Sequence, residues 1–310
     1  VERLTFPPPL KAGATIGVAA ISGPVEPSRL ARGVAALERR GYRVALAPNV
    51  ASRRGYHAGS DAERADGYRE LLRRSDVDAV FFARGGYGAS RILDRLDPEE
   101  IRARPRIHLG GSDLTALFAY LARRCGLGAF YGPMVAVAMA AEEALDWETV
   151  LSGETPAAHR FREEEIVASG RGEGPLVGGC LSILATLCGT PEAPDARGAV
   201  LFWEDVGEDT YRLDRMLTQL ERSGTLDRLQ AMVIGSISPG ARGGESPETV
   251  AAWLRDFFAG APFPVVSGFP AGHLARTRTL PLGRTVRVDA DAGVLEFAAF
   301  TDEAEAPCRP

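Results

Sequence analysis

The chain has 310 residues, 45% of them hydrophobic and 25% charged, with 36 basic and 41 acidic side chains and a formal net charge of −5. That size and balance predict a soluble globular protein of two ordinary domains. They argue against a nucleic-acid or anionic-membrane binder, because neutralising phosphates takes clustered Lys and Arg and the arginines here are scattered.

In chain order, residues 15–22 are apolar and β-branched, end in Ser-Gly-Pro, and predict a buried strand. Ser28 is positioned to cap a helix reaching Arg40, with Leu30, Val34 and Leu37 on one stripe and Gly41 closing it. Residues 42–46 return as a strand. Ser60 and Glu63 have the spacing of a capping box, so a helix should run from there to Arg74. Residues 78–83 predict a strand, 89–96 a helix, 107–110 a strand and 114–125 a helix. Repeated β-α-β units of this length predict a parallel sheet with helices on both faces. The pattern breaks between residues 140 and 173, a stretch rich in Glu, Ala and Gly with one short apolar run at Ile166-Val167-Ala168, read as the crossing between domains. Beyond it come a Gly178-Gly179 turn, a helix over 181–188, a strand over 199–203 and a helix over 210–222. A strand over 231–237, a helix opened by Ser246-Pro247 and a terminal hairpin of 285–288 with 294–297 complete the series. The domains are therefore placed at 1–140 and 174–310, joined by 141–173.

No run of about 18 apolar residues occurs, so no membrane span is predicted. Residues 1–10 are too short and too Pro-rich for a signal peptide. Cys125, Cys180, Cys188 and Cys308 form no C-x-x-C pair, which argues against a zinc ribbon or redox motif, and reduced thiols fit the cytoplasm.

Four places combine reactive side chains with flexible backbone. Gly110-Gly111-Ser112-Asp113 lies between a strand and a helix, where free N–H groups favour a developing negative charge and would suit an acyl-transfer nucleophile. The same Ser112 would serve as a plain helix cap. Leu114 stands where the G-x-S-x-G elbow needs Gly, so the α/β-hydrolase fold is not supported. Arg84-Gly85-Gly86-Tyr87-Gly88 is a tight turn that could cradle a phosphate or offer amides to an oxyanion, but it lacks the nucleotide-binding spacing. Glu204 ends an apolar strand, where open α/β sheets place ligand-binding residues, although a solvated loop acid would look alike. Of the four histidines, His57 and His159 are expected exposed and His108 in the core, which leaves His273, between Gly and Pro turns, as candidate base. No His, Cys or Asp cluster has metal-ligand spacing, so neither metal nor cofactor is expected.

These segments resemble the LD-carboxypeptidase family of serine peptidases, which includes muramoyltetrapeptide carboxypeptidases and microcin C immunity peptidases. The resemblance runs through LKAGATIGV (10–18), AGSDAER (58–64), RGGYG (84–88), GSDLT (111–115) and YGPM (131–134), then GGCLS (178–182), LFWED (201–205), YRLDRML (211–217) and GFPAGH (268–273). It implies a flavodoxin-like N-terminal domain and a smaller mixed α/β C-terminal domain with the site in the cleft between them. It implies Ser112 as nucleophile, Glu204 as acid and His273 as base, with oxyanion donors from the amides of Asp113 and of Gly85-Gly86. It further implies a homodimer that releases the terminal D-Ala of a murein tetrapeptide during cell-wall recycling. The family usually has Asn at Cys180 and often His at Tyr131, so both departures bear on the cleft. A carboxypeptidase must also grip a free carboxylate. Arg84 and Arg212, with Tyr87 beside the first, are the candidates by position. Two other readings predict different outcomes: an immunity-type hydrolase of aminoacyl-sulfamoyl adenylates, which needs an aromatic platform for the base, and a non-catalytic nucleotide or small-ligand binder at the 84–88 turn.

Overall fold

The apolar runs of the first half are buried on both faces, as a parallel sheet between helices requires. In the computed structural model, which describes residues 3–141, 146–239 and 246–300, β1 (Thr15–Ala19) leads through α1 (Pro27–Arg39) to β2 (Arg43–Leu46). Then α2 (Asp61–Arg73) leads to β3 (Ala79–Phe82), a 3-10 turn (Ser90–Arg95) and α3 (Pro98–Ala103) lead to β4 (Ile107–Gly110), and α4 (Thr115–Tyr120) leads to β5 (Ala129–Tyr131). The five strands are parallel in the order β2-β1-β3-β4-β5. That is the flavodoxin-like order, whose ligand crevice lies beyond the strand C-termini where the winding reverses, between β1 and β3. There the two following loops touch, the Gly23 N–H donating to the Gly85 carbonyl at 3.0 Å.

Local chemistry explains the helix starts. Ser60 and Glu63 form the expected capping box, with Glu63 N–H on Ser60 Oγ at 3.2 Å and Ser60 N–H on Glu63 Oε2 at 2.7 Å. For α1 the cap is Glu26 rather than Ser28: its carboxylate accepts from the Ser28 and Arg29 amides at 3.0 and 2.9 Å. Pro27 is the reason, since its fixed φ and missing amide suit the first helical position and move the cap upstream. Helix α3 was not legible as such in the sequence. Asp97 caps it, accepting from the Glu99 amide at 2.9 Å, and Pro98 opens it.

The stretch expected as the crossing contributes α5 (Trp147–Leu151), β6 (His159–Arg160) and β7 (Ile166–Ala168). The chain continues through β8 (Arg171–Cys180), α6 (Leu181–Leu187), β9 (Val200–Glu208), α7 (Thr210–Arg222), β10 (Ala231–Pro239) and α8 (Pro247–Phe257). The last elements among the described residues are β11 (Val265–Val266), β12 (Leu280–Leu282), β13 (Thr285–Asp289) and β14 (Val294–Phe297). The second sheet has the order β6-β14-β13-β8-β9-β10-β11-β7, parallel from β8 to β11 and antiparallel elsewhere. Gly178 and Gly179 make no turn; they lie inside β8 with φ of 129° and 150°. A Cβ on Gly178 would stand 1.8 Å from the Phe202 carbonyl oxygen, so glycine lets β8 press against β9.

The halves are not independent. Strand β12 crosses back to pair antiparallel with β5 at the edge of the first sheet. Phe118, Tyr131, Phe202, Phe269 and Leu280 belong to one buried cluster spanning both sheets, with the Tyr131 and Phe202 rings 5.5 Å apart. Each large side chain buried this way contributes roughly 1.5–3 kcal/mol, so the shared core fixes how the strand ends of the two sheets face one another. Among the described residues, no helix is long and apolar enough to cross a membrane.

Candidate active site

The nucleophile candidate sits on a strained turn. Strand β4 ends at Gly110, Gly111 is extended, and Ser112 then adopts φ of 59°, the left-handed region that a non-glycine residue occupies at a cost of about 1–3 kcal/mol. Three hydrogen bonds hold it there. Ser112 N–H donates to the Tyr131 hydroxyl at 2.8 Å, Thr115 Oγ1 donates to the Ser112 carbonyl at 2.7 Å, and Leu114 N–H donates to the Gly111 carbonyl at 3.2 Å. A 3-10 turn (Ser112–Leu114) precedes α4, with Gly111 at its cap position and Leu114 at that of α4, so the serine is not the helix cap it resembled in the sequence.

The Gly85 turn lies directly against this serine. A Cβ on Gly85 would stand 2.8 Å from Ser112 Cβ and 2.9 Å from Ser112 Oγ. Gly86 has φ of 111°, a conformation that favours glycine. Asp113 turns its carboxylate inward. Its Oδ2 accepts from Ser22 Oγ at 2.5 Å and from the Ala89 amide at 2.8 Å. Burial raises its pKa, and those two hydrogen bonds oppose the rise. The side chain thus ties the loops after β1, β3 and β4 together, while its backbone remains beside the Ser112 turn.

Glu204 follows the buried run Val200-Leu201-Phe202-Trp203 of β9 and is itself fully buried. A bulge in β10 sets its direction: Ile234 pairs with Trp203 and Ile237 with Asp205, so Gly235 and Ser236 both face the single Glu204. Bulges of this kind re-aim a side chain next to a site. The carboxylate is shared out. Oε1 accepts from the Tyr131 hydroxyl at 2.5 Å, and Oε2 accepts from His273 Nδ1 at 2.7 Å and from the His273 amide at 3.1 Å. A carboxylate only accepts, so Nδ1 carries the proton and Nε2 keeps its lone pair. Gly272 makes this approach possible: at φ of 122°, a Cβ there would stand 2.5 Å from Glu204 Oε2 and 2.4 Å from Ser236 Oγ. Burial alone would lower the His273 pKa, but the hydrogen bond and charge of Glu204, with Asp205 behind, leave it above its ordinary value.

Ser112 and His273 line one cavity of 400 Å³, together with Tyr131, Met134, Val137 and Leu274. Glu204 is behind His273, out of solvent. The remaining candidates lie elsewhere. Arg84 is exposed and reaches the Pro24 carbonyl at 3.3 Å, on the outer side of the Gly85 turn. Tyr87 is exposed and packs against His57, ring centroids 5.7 Å apart. Arg212 lies on α7, bonded to the Tyr211 hydroxyl at 3.0 Å and to Glu208 at 3.3 Å. None of the three lines the cavity. Cys180 pairs in register with Glu204 but is buried; burial and the neighbouring Asp205 and Glu204 push its thiol pKa well up. Cys308 lies outside the described residues. His108 is a core residue as expected, bonded to the Tyr68 hydroxyl at 2.8 Å. His57 and His159 are half-buried rather than exposed, because Tyr56 and Tyr87 flank the first and Phe161 and Phe269 the second.

Tyr131, marked in the sequence as a departure that bears on the cleft, does line the cavity, but its bonds to Ser112 and Glu204 were not foreseen. Its position at the C-terminal end of a strand and the need of a buried phenol for a partner were the available signals.

A serine on a strained strand-to-helix turn, facing a cavity with an imidazole oriented by a buried carboxylate, can carry out acyl transfer. On a two-sheet α/β frame this is the class of the serine-type peptidases. Sequence patterns described as the LD-carboxypeptidase N-terminal and C-terminal domains match residues 16–132 and 173–288. The chain belongs to the LD-carboxypeptidase family and is a serine carboxypeptidase. It is 40% identical to a putative carboxypeptidase of Streptomyces coelicolor over 95% of this chain and 96% of that one. It is 32% identical to the murein tetrapeptide carboxypeptidase of Pseudomonas aeruginosa over 80% and 84%. Among solved structures, muramoyltetrapeptide carboxypeptidase from Oxalobacter formigenes superposes with a TM-score of 0.80 at 32% identity, over 92% of this chain and 98% of that one. The microcin C7 self-immunity protein MccF superposes with a TM-score of 0.85 at 25% identity, over 96% and 98%.

Proposed function

We propose that this enzyme releases the C-terminal D-Ala from murein tetrapeptides, as a cytoplasmic homodimer serving cell-wall recycling. The observation that carries the reading is the Glu204–His273 pair opening on the same crevice as Ser112, in a chain related to murein tetrapeptide carboxypeptidases. In the reading, His273 Nε2 takes the proton of Ser112 Oγ as the oxygen attacks the carbonyl of the L-to-D peptide bond. Glu204 holds the Nδ1–H tautomer and stabilises the imidazolium. Backbone amides of Asp113 and of the Gly85-Gly86 turn receive the oxyanion. The imidazolium then returns its proton to the departing amine of D-Ala, and water releases the acyl chain from the serine by the same route. Arg84 and Tyr87 stand on the turn that carries the oxyanion amides but outside the cavity, and of the positional candidates they are the ones we assign to the substrate's carboxylate end. Arg212 is left out because Glu208 and Tyr211 already engage it.

Hydrolysis of aminoacyl-sulfamoyl adenylates would need an aromatic platform. None of the three tryptophans lines the cavity, Trp147 packs inward against Tyr42 and Phe81, and the Tyr131 ring that does line it is only 2% exposed. The test is to incubate the protein with a murein tetrapeptide and follow D-Ala by mass spectrometry, beside the Ser112→Ala variant. The variant should lose roughly three orders of magnitude or more in rate. Full activity in the variant would end the triad reading, and cleavage of an aminoacyl-sulfamoyl adenylate without tetrapeptide cleavage would replace the substrate.

A further inference from the structure

We infer that Tyr131 is a positioning residue of this site: its phenol ties the Ser112 turn, carried by the first sheet, to the Glu204 carboxylate, carried by the second. It thereby sets both the register between nucleophile and acid–base pair and the basicity of His273. The inference rests on the triad reading above.

The direction of each hydrogen bond is fixed by chemistry. A backbone N–H only donates, so the 2.8 Å bond from Ser112 ends on the phenol oxygen. A carboxylate only accepts, so the phenol proton points to Glu204 Oε1 at 2.5 Å. The phenol is therefore fully used, one bond to each half of the molecule. The ring has no freedom to give up either bond. It is 2% exposed, edge-on to Phe118 and Phe202 at 6.5 and 5.5 Å, and a Cβ on Gly111 would stand 3.3 Å from its Cζ.

Three consequences follow for the site. The strained Ser112 is held by a bond to a side chain that also senses the acid. The Ser112 amide is already engaged, so oxyanion donors have to come from the Asp113 and Gly85-Gly86 side. Finally, Glu204 cannot rotate: Tyr131 holds Oε1 while both His273 donors hold Oε2. Burial raises the phenol's pKa far above its usual value, and the Glu204 charge adds to this, so it remains a proton donor across the working pH range.

Tyr131→Phe keeps the ring and removes both bonds. Tetrapeptide kinetics should show kcat down about 10- to 100-fold, the loss of a hydrogen bond to a charged group, with KM little changed. The acid limb of the kcat/KM profile should move to higher pH, because a carboxylate with one donor fewer attracts the imidazolium more strongly. A fluorinated tyrosine at 131 keeps the shape and donates more strongly, so it should move that limb to lower pH. Wild-type kcat together with an unmoved limb in Tyr131→Phe would overturn the inference. Should that variant not fold, an unmoved limb in the fluorotyrosine protein would do the same. The rate at which a fluorophosphonate labels Ser112 gives the same pH profile without any peptide. If the wild-type protein labels but releases no D-Ala, the substrate reading has failed, and the labelling profiles still decide the role of Tyr131.

Discussion

Replacing Glu204 by Gln tests the assembly of the site most directly, because the two side chains match in shape and differ in what they offer. The native carboxylate accepts three hydrogen bonds, from Tyr131, His273 Nδ1 and the His273 amide. An amide offers one accepting oxygen and one donating nitrogen. With its oxygen toward His273, the Gln nitrogen would face a phenol that must already accept from Ser112. With its nitrogen toward His273, Nδ1 becomes an acceptor, Nε2 carries the proton, and the imidazole cannot accept one from Ser112. Either arrangement also removes the charge that stabilises the imidazolium. A triad that loses its carboxylate in this way falls by roughly 10⁴-fold in kcat. D-Ala release from tetrapeptide, measured beside thermal melting to confirm folding, is the assay. A folded Glu204→Gln protein within a few-fold of the wild-type rate would show that this carboxylate does not orient the base.

The pH profile gives a second expectation. The His273 pKa lies above its ordinary 6.5, since Glu204 outweighs the effect of burial, so the acid limb of kcat/KM should fall above that value. Because the folded pKa is the higher one, protonated His273 stabilises the fold. That increment is complete below the unfolded value and is lost as pH rises through the folded one. In Gly272→Ala, a Cβ enters where Glu204 Oε2 and Ser236 Oγ already stand, at a φ of 122°. Displacing His273 by about 1 Å should cost on the order of 10²-fold in kcat, which steady-state kinetics would read. Tyr68→Phe takes the hydroxyl from the fully buried His108. It should lower stability by about 1–3 kcal/mol in denaturant titration while kcat remains unchanged, and a lost kcat would mean that His108 reaches the site.

Local patterns in the chain were enough to give most of the elements. The Ser60–Glu63 capping box, the stripe of α7 and the buried runs of β1 and β3 depend on neighbours a few residues away, and such information is written along the sequence. The parallel character of the first sheet was legible for the same reason. The triad candidates were legible as residue types at strand ends, and their roles came from resemblance rather than spacing.

What the linear chain could not give is every fact that depends on two sheets meeting. The bond from Tyr131 to Glu204 joins residues 73 positions apart, and nothing near either one encodes it. The bulge that turns Glu204, the glycines that admit His273 and the β12 strand that crosses back to β5 become visible only when the strands are laid side by side. Local preference acts over a turn of helix or a pair of strand residues. The geometry of this crevice is set by how the two sheets pack over a shared core and by the buried hydrogen bonds that cross it, all of them contacts between residues far apart in the chain.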